Sequence, residues 1–159
     1  MKNSIILLTD PFSPGVTNVY DRLGRLSSVS WTNITETLTY NDANEPLTES
    51  YSGGILNGLE VTNGYDQFLR RTNLTALGSS VLSRTTYGYD NGSRLSTVND
   101  GNNNLVAYSY LANSSLVGQL GFTNGTAQRM TTTKQYDDLN RLTSISSQPG
   151  ASGIPAVSF

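Results

Sequence analysis

A ten-residue motif recurs along most of this 159-residue chain and constrains its fold more than any other feature. Three copies match closely, at residues 20–29, 89–98 and 136–145. Each begins with Tyr-Asp, and Arg, Leu and Val or Ile follow at five, six and nine residues after the Tyr. A motif that returns in register predicts a repeat architecture. The repeated positions include Tyr20, Asp21, Arg25 and Leu26; Tyr89, Asp90, Arg94 and Leu95; and Tyr136, Asp137, Arg141 and Leu142.

Three weaker copies lie between the strict ones. The copy at Tyr65 keeps Asp66 and Arg70, whereas the copies at Tyr40 and Tyr110 keep the frame but lose the Asp and the Arg. The six tyrosines that begin the copies, called the signature tyrosines below, are separated by 20 to 26 residues. This period is typical of a protein that stacks small structural units.

The four residues after each signature tyrosine predict the turn of a β-hairpin. The Asp carboxylate is expected to accept backbone hydrogen bonds from two residues on, and the fourth residue is expected to have a positive φ. Where that residue is unsuitable, we expect either strain or a turn shifted by one residue, as Asn91-Gly92 indicates. We also expect the tyrosine ring to cover the turn and the arginine to lie across it. Suitable fourth residues are Gly24, Asn44 and Asn140, and unsuitable ones are Leu69, Ser93 and Ser114.

A second set of turns, with Asn-Gly or Asp-Gly pairs such as Asp100-Gly101 and Asn124-Gly125, lies between the copies. These pairs are the strongest short signals for hairpins, so each period is predicted to contain two strands and two turns. After the first turn, the motif Leu and the motif Val or Ile are three residues apart. A regular strand would place them on opposite faces. Either a bulge intervenes or both faces are partly covered.

The pattern Tyr-Asp-x-x-Gly-Arg-Leu-Ser/Thr-x-Val/Ile resembles the YD repeat of the Rhs family. That family occurs in bacterial polymorphic toxins, in the shell components of Tc toxins and in teneurins. The resemblance covers residues 16–147. It implies an all-β fold in which tandem β-hairpins form a curved, spiralling antiparallel sheet, part of an open or incomplete shell. It also implies a protein cargo or neighbouring YD repeats as partners, and a place outside the cell or at its surface within a larger secreted bacterial protein.

The amino-acid composition excludes several kinds of catalytic and metal-binding site. Hydrophobic residues make up 36% and charged residues 14% of the chain, which is polar for a packed globule but fits a broad, thin sheet. Because His and Cys are both absent, catalytic triads, thiol chemistry and the usual zinc sites are excluded. The net charge of −2 and the dispersed Lys and Arg argue against nucleic acid. We expect no enzyme activity, no cofactor and no metal.

The ends of the chain are set apart from the repeats. Residues 1–15 are predicted to be an N-terminal segment, 16–147 the hairpin array, and 148–159 a linker followed by the start of a further strand. The apolar run Ile5–Leu8 is too short for a signal peptide, and no segment approaches the roughly 20 apolar residues that span a bilayer. We interpret the chain as a fragment whose sheet edges pair with another copy or with neighbouring repeats.

Paired carboxylates can catalyse glycoside hydrolysis, but a role in the turn explains the repeat carboxylates because they recur with the period. The segment Asp100–Asn104 resembles the start of a calcium loop, but Leu111 stands where a calcium-binding Glu is required, so we predict a polar turn.

The function that the resemblance implies is a non-catalytic structural scaffold, a section of an Rhs-type shell that encloses or presents a toxin or adhesion partner. The alternative is a carbohydrate-binding or cell-surface adhesion module. Stacking of sugar rings on aromatic side chains would carry the alternative. The candidate glycan contacts are Trp31, Tyr51, Tyr87 and Tyr108.

Overall fold

The computed structural model of the chain describes residues 5–8, 15–151 and 155–159. In these ranges the structure consists of antiparallel strands and one short 3-10 helix, Gly54–Leu56, which confirms the predicted all-β fold. No helix in the described ranges is long and apolar enough to cross a membrane. The strands are β1 (Ile5–Leu8), β2 (Val16–Tyr20), β3 (Leu26–Trp31), β4 (Ile34–Tyr40), β5 (Pro46–Ser52), β6 (Glu60–Tyr65), β7 (Arg71–Leu77), β8 (Val81–Tyr89), β9 (Leu95–Asn99), β10 (Asn104–Tyr110), β11 (Val117–Asn124), β12 (Ala127–Tyr136), β13 (Leu142–Pro149) and β14 (Val157–Ser158).

The chain divides into two compact units, Met1–Arg84 and Thr85–Phe159, and β8 contains the boundary between them. In the first unit, β1 to β6 each pair with the next strand along the chain. In the second unit, the same order holds from the end of β8 to β14. Each unit is thus the predicted meander of hairpins.

A β-bulge lies opposite every signature tyrosine. Tyr20 pairs with Leu26 but Val19 pairs with Ser28, so Ser27 is an extra residue in β3. An extra residue reverses the alternation of faces beyond it. The motif Leu and the motif Val or Ile therefore share the face that carries the signature tyrosines, called the tyrosine face below. Of the two alternatives left by the sequence, the bulge is the one observed. The other extra residues are Leu47, Thr72, Ser96, Gly118 and Thr143.

Among residues 15–151 and 155–159, no apolar side chain is buried, and Thr132 is the one buried polar residue. A sheet with a second layer packed on it would bury the apolar side chains of one face. Each unit is instead a single layer. Most strand residues are half-buried by their neighbours on the next strands.

The structure bears only in part on the predicted ends. Most of the N-terminal segment, including Asp10-Pro11, and residues 152–154 of the tail lie outside the described residues. Strand β13 extends to Pro149, two residues beyond the predicted array. Strand β14 pairs with β13 through Val157 and Ser158.

Candidate functional site

The turn after each strict Tyr-Asp pair is fixed by the Asp carboxylate. At Asp90, Oδ1 accepts hydrogen bonds from the backbone N–H groups of Gly92 (2.9 Å) and Arg94 (2.8 Å). Oδ2 accepts from Arg94 Nε at 2.8 Å. The predicted turn role of the carboxylate is observed. The equivalent three bonds form at Asp21, Asp66 and Asp137.

The weak copy at Tyr40 keeps most of this geometry without an Asp. The side-chain oxygen of Asn41 accepts from the N–H groups of Ala43 (2.9 Å) and Glu45 (2.8 Å). An amide oxygen can replace the carboxylate toward backbone donors because both are acceptors. The arginine contact is absent from this copy, since Glu45 occupies the arginine position.

The fourth residue after the signature tyrosine is left-handed in five copies. Gly24, Asn44 and Asn140 have φ of 79°, 69° and 61°, as predicted. Leu69 and Ser93 have φ of 61°, so these turns are strained and not shifted.

The copy at Tyr110 departs from this pattern. Its turn closes between Leu111 N and Leu116 O and is one residue longer, with Asn113 at φ 53°. Because Ser93 is itself the left-handed residue, the prediction of a shifted turn near Asn91-Gly92 is wrong. Ser114 is not left-handed because its turn contains one extra residue.

We predict that Leu69→Asn stabilises the protein by about 1 kcal/mol. A left-handed backbone costs most L-residues roughly 1–2 kcal/mol, whereas Asn tolerates it. Leu69 is 48% exposed at the tip of its turn, so the change removes little packing. Urea denaturation followed by circular dichroism measures the effect. The reciprocal change, Asn140→Leu, should cost a similar amount; if both variants match the unmodified chain, the left-handed position is not limiting.

The motif arginine connects its own turn to the next repeat. Arg25 donates from Nη1 to the carbonyl oxygen of Asn41 (3.1 Å) and to Asn44 Oδ1 (2.8 Å), and its guanidinium lies 4.7 Å from the ring centre of Tyr40. Arg94 likewise donates to the carbonyl oxygen of Ser114 and lies 4.3 Å from the ring centre of Tyr110. Each guanidinium is thus held by an Asp on one side and an aromatic ring on the other.

Four of the signature tyrosines donate a hydrogen bond from the phenol to a backbone carbonyl oxygen of the preceding repeat. The phenol of Tyr40 donates to the carbonyl oxygen of Leu26 at 2.8 Å, and that of Tyr110 to Leu95 at 2.7 Å. The expectation that the ring covers its own turn is therefore wrong at Tyr40 and Tyr110: each ring lies against the arginine of the preceding copy. The cause is that side chains on one face of adjacent strands lie within reach of each other, so a long aromatic side chain contacts the residues of the neighbouring hairpin. Equivalent bonds join Tyr65 to Pro46 (3.0 Å) and Tyr136 to Val117 (3.0 Å).

The turn carboxylates have lowered pKa values. At Asp21, Asp90 and Asp137 the largest cause is the hydrogen bond from the backbone N–H of the motif arginine. Burial opposes the shift at Asp66, but hydrogen bonds from the side chain and backbone of Arg70 outweigh it and lower the pKa. At Asp100 the hydrogen bond from the Asn104 side chain lowers the pKa most.

We predict that acid destabilises the protein through these carboxylates. Their folded-state pKa lies below the unfolded value of about 3.9, so the stabilisation is present above that pH and is lost as pH falls through the folded pKa. The unfolding temperature, measured by circular dichroism, should be flat between about pH 7 and 5 and fall below about pH 4. Asp90→Asn should weaken this dependence. An unfolding temperature that does not fall between about pH 5 and 2.5 would contradict the prediction.

Sequence reasoning missed that the turn at Asp100 has the same construction. Asp100 Oδ1 accepts from the N–H groups of Asn102 (2.8 Å) and Asn104 (3.2 Å), Oδ2 accepts from Asn104 Nδ2 (2.7 Å), and Asn103 has φ 68°. The Asn104 side chain replaces the motif arginine. The signal was an Asp followed three residues later by Asn. Among the residues that the structure describes, no three Asp or Glu side chains lie close enough together to hold a metal ion.

The four candidate glycan contacts are half-buried strand residues on the tyrosine face. In the first unit, Trp31 pairs with Ile34, and Tyr51 pairs with Glu36. The Tyr51 phenol donates a hydrogen bond to Glu49, and this bond raises the pKa of Tyr51 to about 12. Burial, together with the charge of Glu49, raises the pKa of Glu36.

In the second unit, Tyr87 pairs with Val98, and Val98 pairs with Val106 on the strand that carries Tyr108. Each unit therefore brings together two of the four candidate residues, on strands separated by one other strand. None of the four is fully exposed.

Solved structures contain this fold. A structure described as the crystal structure of TcdB2-TccC3-TEV matches 98% of this chain with a TM-score of 0.73. The chain therefore shares the fold of one part of that structure. The sequence identity is 18%, and the match spans 9% of the length of the other chain. No family model and no curated protein matches the sequence.

Proposed function

We propose that the chain is a non-catalytic section of the wall of an Rhs-type shell, which encloses or presents a polypeptide partner. The observation that carries the proposal is the single-layer construction: residues 15–151 and 155–159 bury no apolar side chain, although each unit is an ordered meander. Such a sheet provides surface and not a packed interior. The carboxylates that recur in the sequence are engaged by their own turns, which leaves them a structural role.

The tyrosine face is the surface we assign to the partner. In the second unit it carries an apolar row that crosses four successive strands, and the members pair in register. A half-exposed apolar row on a sheet with no second layer fits an unfolded or extended polypeptide, which presents apolar side chains of its own. The row consists of Val98, Val106, Phe122 and Met130.

The experiment measures binding of a fluorescein-labelled, permanently unfolded test polypeptide by fluorescence anisotropy. Val106→Lys places a charge in the apolar row and should weaken binding about tenfold, equivalent to about 1.4 kcal/mol. The matched control is Ser109→Lys, on the opposite face of the same strand, which should bind like the unmodified chain. Equal loss in both variants, or no binding at all, would overturn the assignment of this face.

The proposal also covers the location of the protein. We place the chain outside the cell or at its surface, as part of a larger secreted bacterial protein of the Rhs/YD-repeat type. The support is the toxin component that shares the fold and the Tyr-Asp motif itself.

A second candidate function, carbohydrate binding, is favoured by one observation: each unit places two aromatic side chains on one face, two strands apart. Strands separated by one other strand lie roughly 10 Å apart, within the span of an oligosaccharide. Titration of a panel of neutral oligosaccharides by calorimetry tests it. Heat of binding that Tyr87→Ala and Tyr108→Ala abolish would support the candidate, and absence of heat across the panel would reject it.

A further inference from the structure

We propose that the tyrosine face of the first unit, at Glu36, Glu49 and Tyr51, binds a basic side chain of the polypeptide partner. The partner would then carry Lys or Arg where it meets this unit. The inference rests on the proposed function and adds the chemistry of the partner. Its experiment compares a basic with a neutral polypeptide, so the inference can fail while binding of a polypeptide to the wall remains.

Two carboxylates stand at positions that other copies of the repeat keep apolar. The residue nine positions after the signature tyrosine is Glu49 in the copy at Tyr40, and Val or Ile in the three strict copies. The residue four positions before the signature tyrosine is Glu36 in this copy, and Val in three of the others. Since the hairpins form with apolar residues at both positions, the fold does not require these charges. Two such departures in one copy indicate an interaction outside the repeat.

Strand pairing brings the two carboxylates together. Glu36 pairs with Tyr51 on the neighbouring strand, and Glu49 lies two residues before Tyr51, so the three side chains share one face. The Tyr51 phenol donates a hydrogen bond to Glu49. Diagonal neighbours on adjacent strands lie roughly 7–8 Å apart, so one ammonium or guanidinium group can interact with both carboxylates.

Aromatic rings flank this pair of carboxylates. Tyr51 pairs with Glu36, and Trp31 pairs with Ile34, two residues before Glu36 on the same strand. The faces of aromatic rings attract cations, and this attraction adds to that of the carboxylates. The combination of two carboxylates with Trp and Tyr therefore favours a basic side chain as the ligand.

The chain supplies no cation to these carboxylates. Among the described residues, no Lys or Arg forms an ion pair with Glu36 or Glu49. Burial, and then the charge of Glu49, raises the pKa of Glu36. Both effects disfavour the charged form of Glu36, and a cation bound between the two carboxylates would oppose them.

A hydrogen-bond acceptor without a donor lies on the same face. Asn63 follows Val61 by two residues, and Val61 pairs with Glu49, so Asn63 lies beside the carboxylates. Its Oδ1 is buried and accepts no hydrogen bond from the described residues. Such acceptors are rare in folded proteins. A lysine ammonium, which has three donors and no acceptor, suits a face whose oxygen atoms lack donors.

The test uses two fluorescein-labelled, permanently unfolded polypeptides that differ only in carrying lysine or glutamine at the same positions. Fluorescence anisotropy measures the binding of each to the full chain. At low ionic strength the lysine polypeptide should bind about tenfold more tightly, and this preference should decrease as added salt screens the charges. Glu36→Gln should reduce the preference to about threefold, because one of the two carboxylates is removed.

Glu60→Gln is the matched control. Glu60 pairs with Ser50, which lies between Glu49 and Tyr51, so its carboxylate is on the opposite face of the sheet. The variant has the same change in net charge and should keep the full preference for lysine. Equal affinities for the two polypeptides, or an equal loss of preference in Glu36→Gln and Glu60→Gln, would overturn the proposal.

A second measurement tests whether Glu36 has a structural role instead. The urea midpoint of Glu36→Gln, followed by circular dichroism, should equal or exceed that of the unmodified chain, because the amide removes a half-buried charge that Glu49 repels. A lower midpoint would show that the carboxylate stabilises the fold and would overturn the assignment. If Val106→Lys leaves polypeptide binding unchanged while the preference for lysine persists, the apolar row fails and this inference stands.

Discussion

Replacing Gly53 by Ala is expected to destabilise the first unit by about 3 kcal/mol or more. Gly53 has φ 78° and ψ 168°, a combination that is essentially restricted to glycine and costs other residues about 1–3 kcal/mol. A methyl group there would also overlap the backbone carbonyl oxygen of Asn33, and overpacking adds about 1–3 kcal/mol. The backbone of the facing turn must then move, because the overlapped atom is not a flexible side chain.

Gly58→Ala is the matched control. Gly58 has φ 81°, in the same loop, but nothing lies within 4 Å of the position of an added methyl group. Only the backbone strain remains, so the cost should be about 1 kcal/mol. Urea denaturation followed by circular dichroism distinguishes the two variants. Equal unfolding midpoints for the two variants would show that the backbone at Asn33 moves away from the added methyl group with no loss of stability, which would contradict the prediction.

Replacing Tyr110 by Ala is expected to cost about 2–3 kcal/mol, because one side chain makes the contact between two repeats. The change removes the hydrogen bond to the carbonyl oxygen of Leu95 and the ring beneath Arg94. Removal of a fully buried aromatic ring costs about 3–5 kcal/mol, and this half-buried ring should cost less. The free energy of unfolding is measured by urea denaturation.

Two further variants separate the parts of this contact. Tyr110→Phe keeps the ring and should lose about 1 kcal/mol, the net value of the hydrogen bond. Ser109→Ala, at the exposed neighbour on the opposite face, should change stability by less than about 0.5 kcal/mol. If Tyr110→Ala costs no more than Ser109→Ala, the tyrosine does not connect the repeats.

The contacts of the motif explain why it recurs. Asp orders its own turn, Arg joins that turn to the next one, and Tyr joins its strand to the hairpin before it. Stability in repeat proteins is approximately a sum of unit terms and nearest-neighbour terms. Here Asp contributes to the first kind and Tyr to the second, while Arg contributes to both. Strands that bury no apolar side chain among residues 15–151 can be ordered in this way, by contacts that run along the sheet.

The sequence by itself determined the properties that depend on neighbours within one hairpin. Asp and Gly or Asn at fixed spacing specify a turn through local hydrogen bonds and a positive φ, so the meander and the role of Asp90 were predictable. The absence of His and Cys excluded whole classes of chemistry without reference to the fold. The strain at Leu69 was one of two local alternatives that spacing left open.

Only the tertiary structure determined the face on which each side chain lies and the contacts between one hairpin and the next. The bulge at Ser27 places Leu26 and Val29 on one face, and pairing register is not encoded in the alternation of a single strand. The ring of Tyr40 contacts Arg25, fifteen residues earlier, and not its own turn. Such contacts are set by how adjacent strands are staggered, because the stagger brings side chains together that are far apart along the chain. The motif predicted that the Tyr, Asp and Arg positions share a structural role, and the pairing of the strands determined which of these side chains contact each other.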